Sequence, residues 1–210
     1  MKSFKLFTEN NKGTFSVGVF PGAFKPPHKG HFDTVKKAAQ ENNIVFVIIS
    51  AIDRDNITSK ESLNIWNIYK PYLPKNVHYI MVSGSPVLVV YHIVDILNNG
   101  KFTPTPRSPV PHPQTQEILS LVHNKGPYIV NLYASGEDAQ DRYGSFFKQN
   151  NVSIFKGKQV ENIHQKEVSR LTSSTKAREA LRARNFIEFK ETLPPIAKED
   201  MERVYKILLK

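Results

Sequence analysis

Residues 44–49 read Ile-Val-Phe-Val-Ile-Ile, six apolar residues with no polar break. A strand with one wet face alternates apolar and polar side chains, and this run does not. Its β-branched content and shortness favour a strand over a helix. The run therefore predicts an inner strand covered on both sides, which requires helices on both faces of a parallel sheet. The rest of the chain supplies them. Residues 17–20 and 77–82 read as strands. Residues 31–42 and 59–72 read as helices, the second with Leu63, Trp66 and Tyr69 on one face and Pro71 and Pro74 at its end. Residues 86–97 read as a third helix, with Pro86 in its first turn and Asn99-Gly100 after it. Residues 128–134 and 152–155 read as strands, with a helix over 139–149 between them. This alternation predicts an α/β fold, a parallel sheet with right-handed crossovers.

From about Thr172 the pattern is helical. Ala177, Ala180 and Leu181 share a face, then Phe186 and Phe189, then Met201, Val204, Tyr205 and Leu208, with Leu193-Pro194-Pro195 between the last two groups. The expected division is an α/β domain over 1–170 and a C-terminal helical segment over 171–210 packed on it. Residues 1–14 read as a polar arm. Residues 101–113 carry Pro104, Pro106, Pro109, Pro111 and Pro113, too much proline for a helix or inner strand. They predict an extended loop, open to three roles: substrate lid, inert insertion or oligomer contact.

A chain of 210 residues suits one α/β domain with a modest extension. Its apolar runs fall short of membrane-spanning length. Residues 1–5, Met-Lys-Ser-Phe-Lys, lack the apolar stretch of a signal peptide. With no cysteine there is neither disulfide nor thiolate metal site. The expectation is a cytoplasmic protein, in the host cytoplasm if the chain is viral. The net charge is +10, and much of it lies late, at Lys156, Lys158, Lys166, Arg170, Lys176, Arg178, Arg182 and Arg184. Such a field favours polyanions: nucleoside triphosphates, phosphorylated metabolites or nucleic acid. Charge alone does not choose among them.

The choice is made by residues 22–31, Gly-Ala-Phe-Lys-Pro-Pro-His-Lys-Gly-His, where the first strand turns into the first helix. His28 and His31 are three residues apart with Gly30 between them. A phosphate at such a turn meets a helix N-terminus with two imidazoles beside it. A second constellation, Thr172-Ser173-Ser174-Thr175-Lys176-Ala177-Arg178, opens the C-terminal helical run. Hydroxyls there either cap a helix or bind phosphate, and Arg178 one turn further can add a charge-assisted contact.

Together these segments resemble the two signatures of the nucleotidylyltransferase superfamily, G-x-F-x-P-x-H-x-G-H near the N-terminus and I-S-S-T-x-x-R late in the chain. The resemblance implies a Rossmann-like nucleotidylyltransferase fold. It also implies transfer of a nucleoside monophosphate from a triphosphate to a phosphorylated small-molecule acceptor, with release of pyrophosphate. It assigns His28, His31 and Arg178 as catalytic. Gly22, Ala23, Phe24, Lys25, Gly30, Gly136, Asp138, Ser173, Ser174 and Thr175 become nucleotide-binding residues. Gly22 and Phe24 would shape the turn, and Gly30 would let phosphates approach the backbone. Lys25 stands where the superfamily often has Asp and some members have Gln; its ammonium either reaches a phosphate or faces solvent. Ser135-Gly136-Glu137-Asp138 resembles the family's G-x-D turn near the nucleotide, with a capped helix start as the other reading. Lys60 is a further candidate for an acceptor phosphate. Mg²⁺ is implied, carried largely by the triphosphate, with no metal cage in the protein.

ATP is favoured over CTP. The Pro-Pro-His-Lys-Gly-His wording is similar to adenylyltransferases acting on nicotinamide mononucleotide. A cytidylyltransferase acting on a phosphorylated alcohol or sugar is one alternative. A non-catalytic nucleotide-binding protein on the same fold is another. Ser85-Pro86-Val87, the Trp66 helix and the segment through Phe189, Leu193 and Pro194 resemble compact nucleotidylyltransferase-like proteins of tailed bacteriophages. No membrane partner is expected, nucleic acid is disfavoured, and a homo-oligomer is compatible with the sequence.

Overall fold

The computed structural model describes residues 13–82, 85–99, 115–134, 160–167 and 174–209. Five parallel strands form one sheet in the order β3-β2-β1-β4-β5: β1 (Phe15–Gly22), β2 (Ile44–Ser50), β3 (Val77–Val82), β4 (Tyr128–Ala134) and β5 (Val160–Glu167). Beside them lie α1 (Lys29–Glu41), α2 (Ser59–Tyr69), α3 (Pro86–Asn99), α4 (Thr115–Val122), α5 (Ser174–Arg182), α6 (Phe186–Glu191) and α7 (Lys198–Leu208). The chain winds outward from β1 to β3, then returns to place β4 on the other side of β1. The strand order reverses there, and in sheets of this kind ligands bind at the carboxyl ends of the strands at such a point.

The apolar run of β2 is buried at every position. Ile44, Phe46 and Ile48 face one layer, with Val90, Ile93 and Val94 of α3 and Ile118 and Val122 of α4. Val45, Val47 and Ile49 face the other, with Phe32 and Val35 of α1 and Ile65, Trp66 and Tyr69 of α2. Ala177, Ala180, Phe189, Val204 and Leu208 belong to this second core, so the C-terminal helices are packed on the sheet domain.

Strands β3 and β4 match the sequence expectation residue for residue, and β1 extends beyond 17–20 at both ends. The first helix begins at Lys29 rather than His31. The second ends at Tyr69 and tightens into a 3₁₀ turn over Lys70–Tyr72, as Pro71 requires. The short helix α4 and the strand β5 are additions that the sequence pattern does not predict. Strand β5 reads Val-Glu-Asn-Ile-His-Gln-Lys-Glu, without the apolar pattern of an inner strand; among the described residues it lies at the sheet edge and pairs with β4 alone. The expected arm, the proline-rich loop 101–113, the helix over 139–149 and the strand over 152–155 lie outside the described residues, save for Gly13 and Thr14 of the arm. Among the described residues, no helix is long and apolar enough to cross a membrane.

Trp66 is fully buried, edge-on to Phe24 at 5.5 Å and Tyr69 at 5.7 Å. Its Nε1 finds no hydrogen-bond partner among the described residues. Trp66→Ala is expected to cost about 3–5 kcal/mol. Trp66→Phe should cost clearly less, because it loses volume but also removes a buried donor without a partner. Urea denaturation of both variants checks the ordering.

Candidate active site

The turn between β1 and α1 is built around Phe24. Its backbone is left-handed (φ 53°) and its side chain is buried. This conformation folds the ring back over Gly22, where a Cβ would lie 2.7 Å from the ring. Gly22 is thus required for a close approach within its own turn. The Phe24 ring stands edge-on to His31 at 4.9 Å and to Phe20 at 5.1 Å, and forms the floor on which His31 rests. Ala23 is exposed at the turn, and the Lys25–Pro26 peptide is cis.

His28 caps α1. Its Nδ1 accepts from the Gly30 N–H at 3.1 Å, and His31 Nδ1 accepts from the His28 N–H at 3.4 Å. Two imidazoles thus form a capping box, a task that falls more often to Ser or Thr with Glu. An accepting Nδ1 carries no proton, so both rings are neutral with hydrogen on Nε2. The rings stack at 3.7 Å and 27°. Burial, with the Arg178 charge second, pushes His28 down to about 4. Burial and the neighbouring His28 hold His31 well below the ordinary histidine range.

The expected contact between a phosphate and free first-turn amides needs correction. The Lys29 N–H donates to Thr192 O at 2.8 Å and the Gly30 N–H to His28. The role of Gly30 visible here is therefore to donate to the cap. Lys25 also departs from one of its two readings, because it does not face solvent. It is 1% exposed, and Nζ donates to Ser50 O at 3.3 Å and Ser62 Oγ at 3.2 Å. Burial pulls it down to about 8 against the upward pull of Asp53 and Glu61. Lys60 is exposed, in the first turn of α2 rather than in a loop.

The two sequence constellations meet. Ser174 Oγ donates to Pro26 O at 3.4 Å, and Arg178 NH1 donates to Lys25 O at 2.9 Å. Arg178 NH2 donates to Thr175 Oγ1 at 3.2 Å, and its Nε pairs with Asp55 at 2.8 Å. Gly136, Asp138 and Ser173 lie outside the described residues.

Sequence reading missed the segment between β2 and α2. Arg54 and Ile57 exchange backbone hydrogen bonds, and Asp55 and Asn56 between them are both left-handed (φ 53° and 62°). This is a tight hairpin turn of the primed type, which Asp and Asn tolerate better than most residues. The Asp-Asn pair just ahead of the Thr58…Glu61 capping box was the available signal. Asp53, Arg54, Asp55, Asn56 and Thr58 line a cleft of about 560 Å³. Among the described residues, no three His, Asp or Glu side chains are placed to hold a metal ion. Protein ligands for a cation therefore do not converge among them, and no step is assigned to one.

Known proteins share parts of this sequence and this fold. A protein of a Nitratiruptor species, named a probable nicotinate-nucleotide adenylyltransferase, is 36% identical over 82 residues, covering 35% of this chain and 46% of that protein. The chain thus spans about half the length of the curated relative it matches. The nicotinic acid mononucleotide adenylyltransferase of Plasmodium falciparum, complexed with APC, has a similar structure. Its TM-score is 0.52 at 14% identity, over 93% of this chain and 98% of that one. A bifunctional NMN adenylyltransferase/ADP ribose pyrophosphatase of Francisella tularensis, complexed with AMP and a Mn ion, scores 0.50 at 13% identity, over 93% and 52%. At these identities the structural likeness is one of fold. No protein-family model matches the chain.

The buried bases make stability rise with pH in two separate windows. Unfolded histidines take up protons near pH 6.5, whereas His28 resists until about 4, so the unfolded state binds more protons between these values. Stability is therefore lost as pH falls through that window. His28→Asn keeps a capping side chain but cannot titrate, and should lose less stability between pH 7 and pH 5, read from urea midpoints. The Lys25 ammonium is disfavoured in the fold, so its cost is complete below about pH 8 and relieved as pH rises toward 10.5. Lys25→Met should be more stable than wild type at pH 7 by about 1–3 kcal/mol. That advantage should shrink between pH 8 and 10, measured in the same way.

Proposed function

We propose that this chain, a member of the nucleotidylyltransferase superfamily, transfers AMP from ATP to nicotinate or nicotinamide mononucleotide and releases pyrophosphate. The observation that carries the reading is the stacked His28–His31 pair beside Arg178, at the carboxyl end of β1 where the strand order reverses. The reaction forms a bond from an acceptor phosphate oxygen to the α-phosphorus of ATP. The bond from that phosphorus to the bridging oxygen breaks, and its electron pair leaves with pyrophosphate. No protein nucleophile is needed. What is needed is alignment of two anions and donors aimed at the charge that develops.

The residues divide that work. His28 and His31, neutral at Nδ1, present Nε2–H donors to the triphosphate where charge grows. Because their rings stack, protonating one makes protonating the other harder, so the pair remains chiefly a donor pair rather than a dication. Arg178 supplies the fixed positive charge. Thr175 and Ser174 place hydroxyls at the N-terminus of α5 for the β- and γ-phosphates, and the same role is proposed for Ser173. Gly22, Ala23, Phe24 and Gly30 form the floor and turn under the nucleotide, Lys25 braces it from below, and Gly136 and Asp138 would meet the nucleoside from the end of β4. A divalent cation such as Mg²⁺, carried by the triphosphate, would screen its charge, a reading supported by the Mn ion in the Francisella complex.

The test is pyrophosphate release with Mg²⁺, crossing ATP and CTP with nicotinate mononucleotide, nicotinamide mononucleotide, phosphopantetheine and phosphocholine. ATP with a pyridine mononucleotide should be active. His31→Ala should lose about 100-fold or more in kcat while keeping the far-ultraviolet spectrum of the wild type. Activity only with CTP, or wild-type turnover in His31→Ala, overturns the assignment.

A further inference from the structure

We infer that Asp55 is a positioning residue: its carboxylate, presented by the β2–α2 hairpin turn, aims the Arg178 guanidinium at the transferring phosphate. The guanidinium is held at three corners. Nε pairs with Asp55 Oδ2 at 2.8 Å, NH1 donates to Lys25 O at 2.9 Å, and NH2 donates to Thr175 Oγ1 at 3.2 Å. A guanidinium carries five N–H groups, and these contacts use three. One hydrogen on NH1 and one on NH2 are left for phosphate oxygens. The other Asp55 oxygen, Oδ1, accepts from Arg182 NH2 at 2.8 Å, so the carboxylate bridges successive turns of α5. Arg54 Nε approaches Oδ2 at 3.8 Å. The Arg178 side chain is 11% exposed and that of Arg182 is 65% exposed, so the inner pair is the better shielded from solvent.

The backbone shows that Asp55 is placed rather than merely near. Two consecutive left-handed residues and a reciprocal pair of hydrogen bonds between Arg54 and Ile57 fix the turn that carries it. Thr58 and Glu61 then cap α2 reciprocally, so the hairpin is anchored at its exit. Asp55 also lines the cleft formed by this loop, with Asp53, Arg54, Asn56 and Thr58. A charge presented this way lowers the reorganisation needed when the transition state forms. It adds nothing to the attraction for the ground-state triphosphate, since a carboxylate repels phosphate.

This role rests on the adenylyl-transfer reading above, and the two can fail separately. Asn tolerates left-handed backbone and matches Asp in shape, so Asp55→Asn keeps the turn and removes the charge. Its kcat is expected to fall about 10- to 100-fold, with the dissociation constant for ATP, measured by calorimetry, unchanged or smaller. In an Arg178→Ala background the same substitution should cost no further kcat, because the residue it aims is gone. Wild-type kcat in Asp55→Asn, weaker ATP binding at unchanged kcat, or losses that multiply in the double variant each overturn the positioning role and leave the function standing. A wild-type protein silent toward ATP and every acceptor overturns the function, and this role with it.

Discussion

The guanidinium of Arg178 holds the two ends of the chain together at the site. Through Lys25 O it grips the turn after β1, and through Asp55 it grips the turn after β2. Ser174 adds a second tie to the same motif turn at Pro26. The apolar faces of α5, α6 and α7 bring that arginine within reach by entering the same core as α1 and α2. Hydrophobic packing places the helix, and charge-assisted hydrogen bonds then set the direction of one side chain. Packing alone is non-directional and would not aim a guanidinium.

A second constraint runs through the histidines. Each imidazole commits Nδ1 to the backbone of the turn that carries it, and this leaves each with a single defined tautomer. Phe24, folded over Gly22, closes the space beneath them. The burial that makes the pair rigid also holds both bases neutral, and the nearby arginine reinforces that on His28. Rigidity and donor character therefore have one origin, a dry turn with a left-handed phenylalanine at its centre. The buried Lys25 extends the turn inward to Ser50 and Ser62, linking it to the ends of β2 and α2.

Much of the fold was legible along the chain. The unbroken apolar run of β2 required a sheet covered on both faces, and the alternation around it required parallel strands. Strands β3 and β4 were read at their true ends because turn residues bound them. The edge strand β5 was not, because a strand exposed at its side need not carry an apolar pattern. Helix α4 is eight residues long, too short for its periodicity to stand out from the proline-rich stretch before it. At the site, the histidines, Arg178 and the Ser-Thr helix start were legible as residue types at fixed spacing. Asp55 was not, since a single carboxylate in a loop carries no pattern of its own.

Local chemistry along the chain settled which groups are present and which layers they belong to, because periodicity and turn preference act over a few residues. Contacts between distant segments decided how those groups behave. Lys25 looked open to solvent or phosphate and is buried against Ser50 and Ser62. First-turn amides that looked free are taken by Thr192 and His28. Arg178 looked only like a charge-assisted contact for phosphate, and it is also held by Lys25, Thr175 and Asp55. Each of these outcomes depends on a partner far away in sequence or on a turn whose direction only the packed molecule sets. Burial, protonation and hydrogen-bond pairing are properties of an environment, and the environment exists only once the sheet and its helices have closed around it.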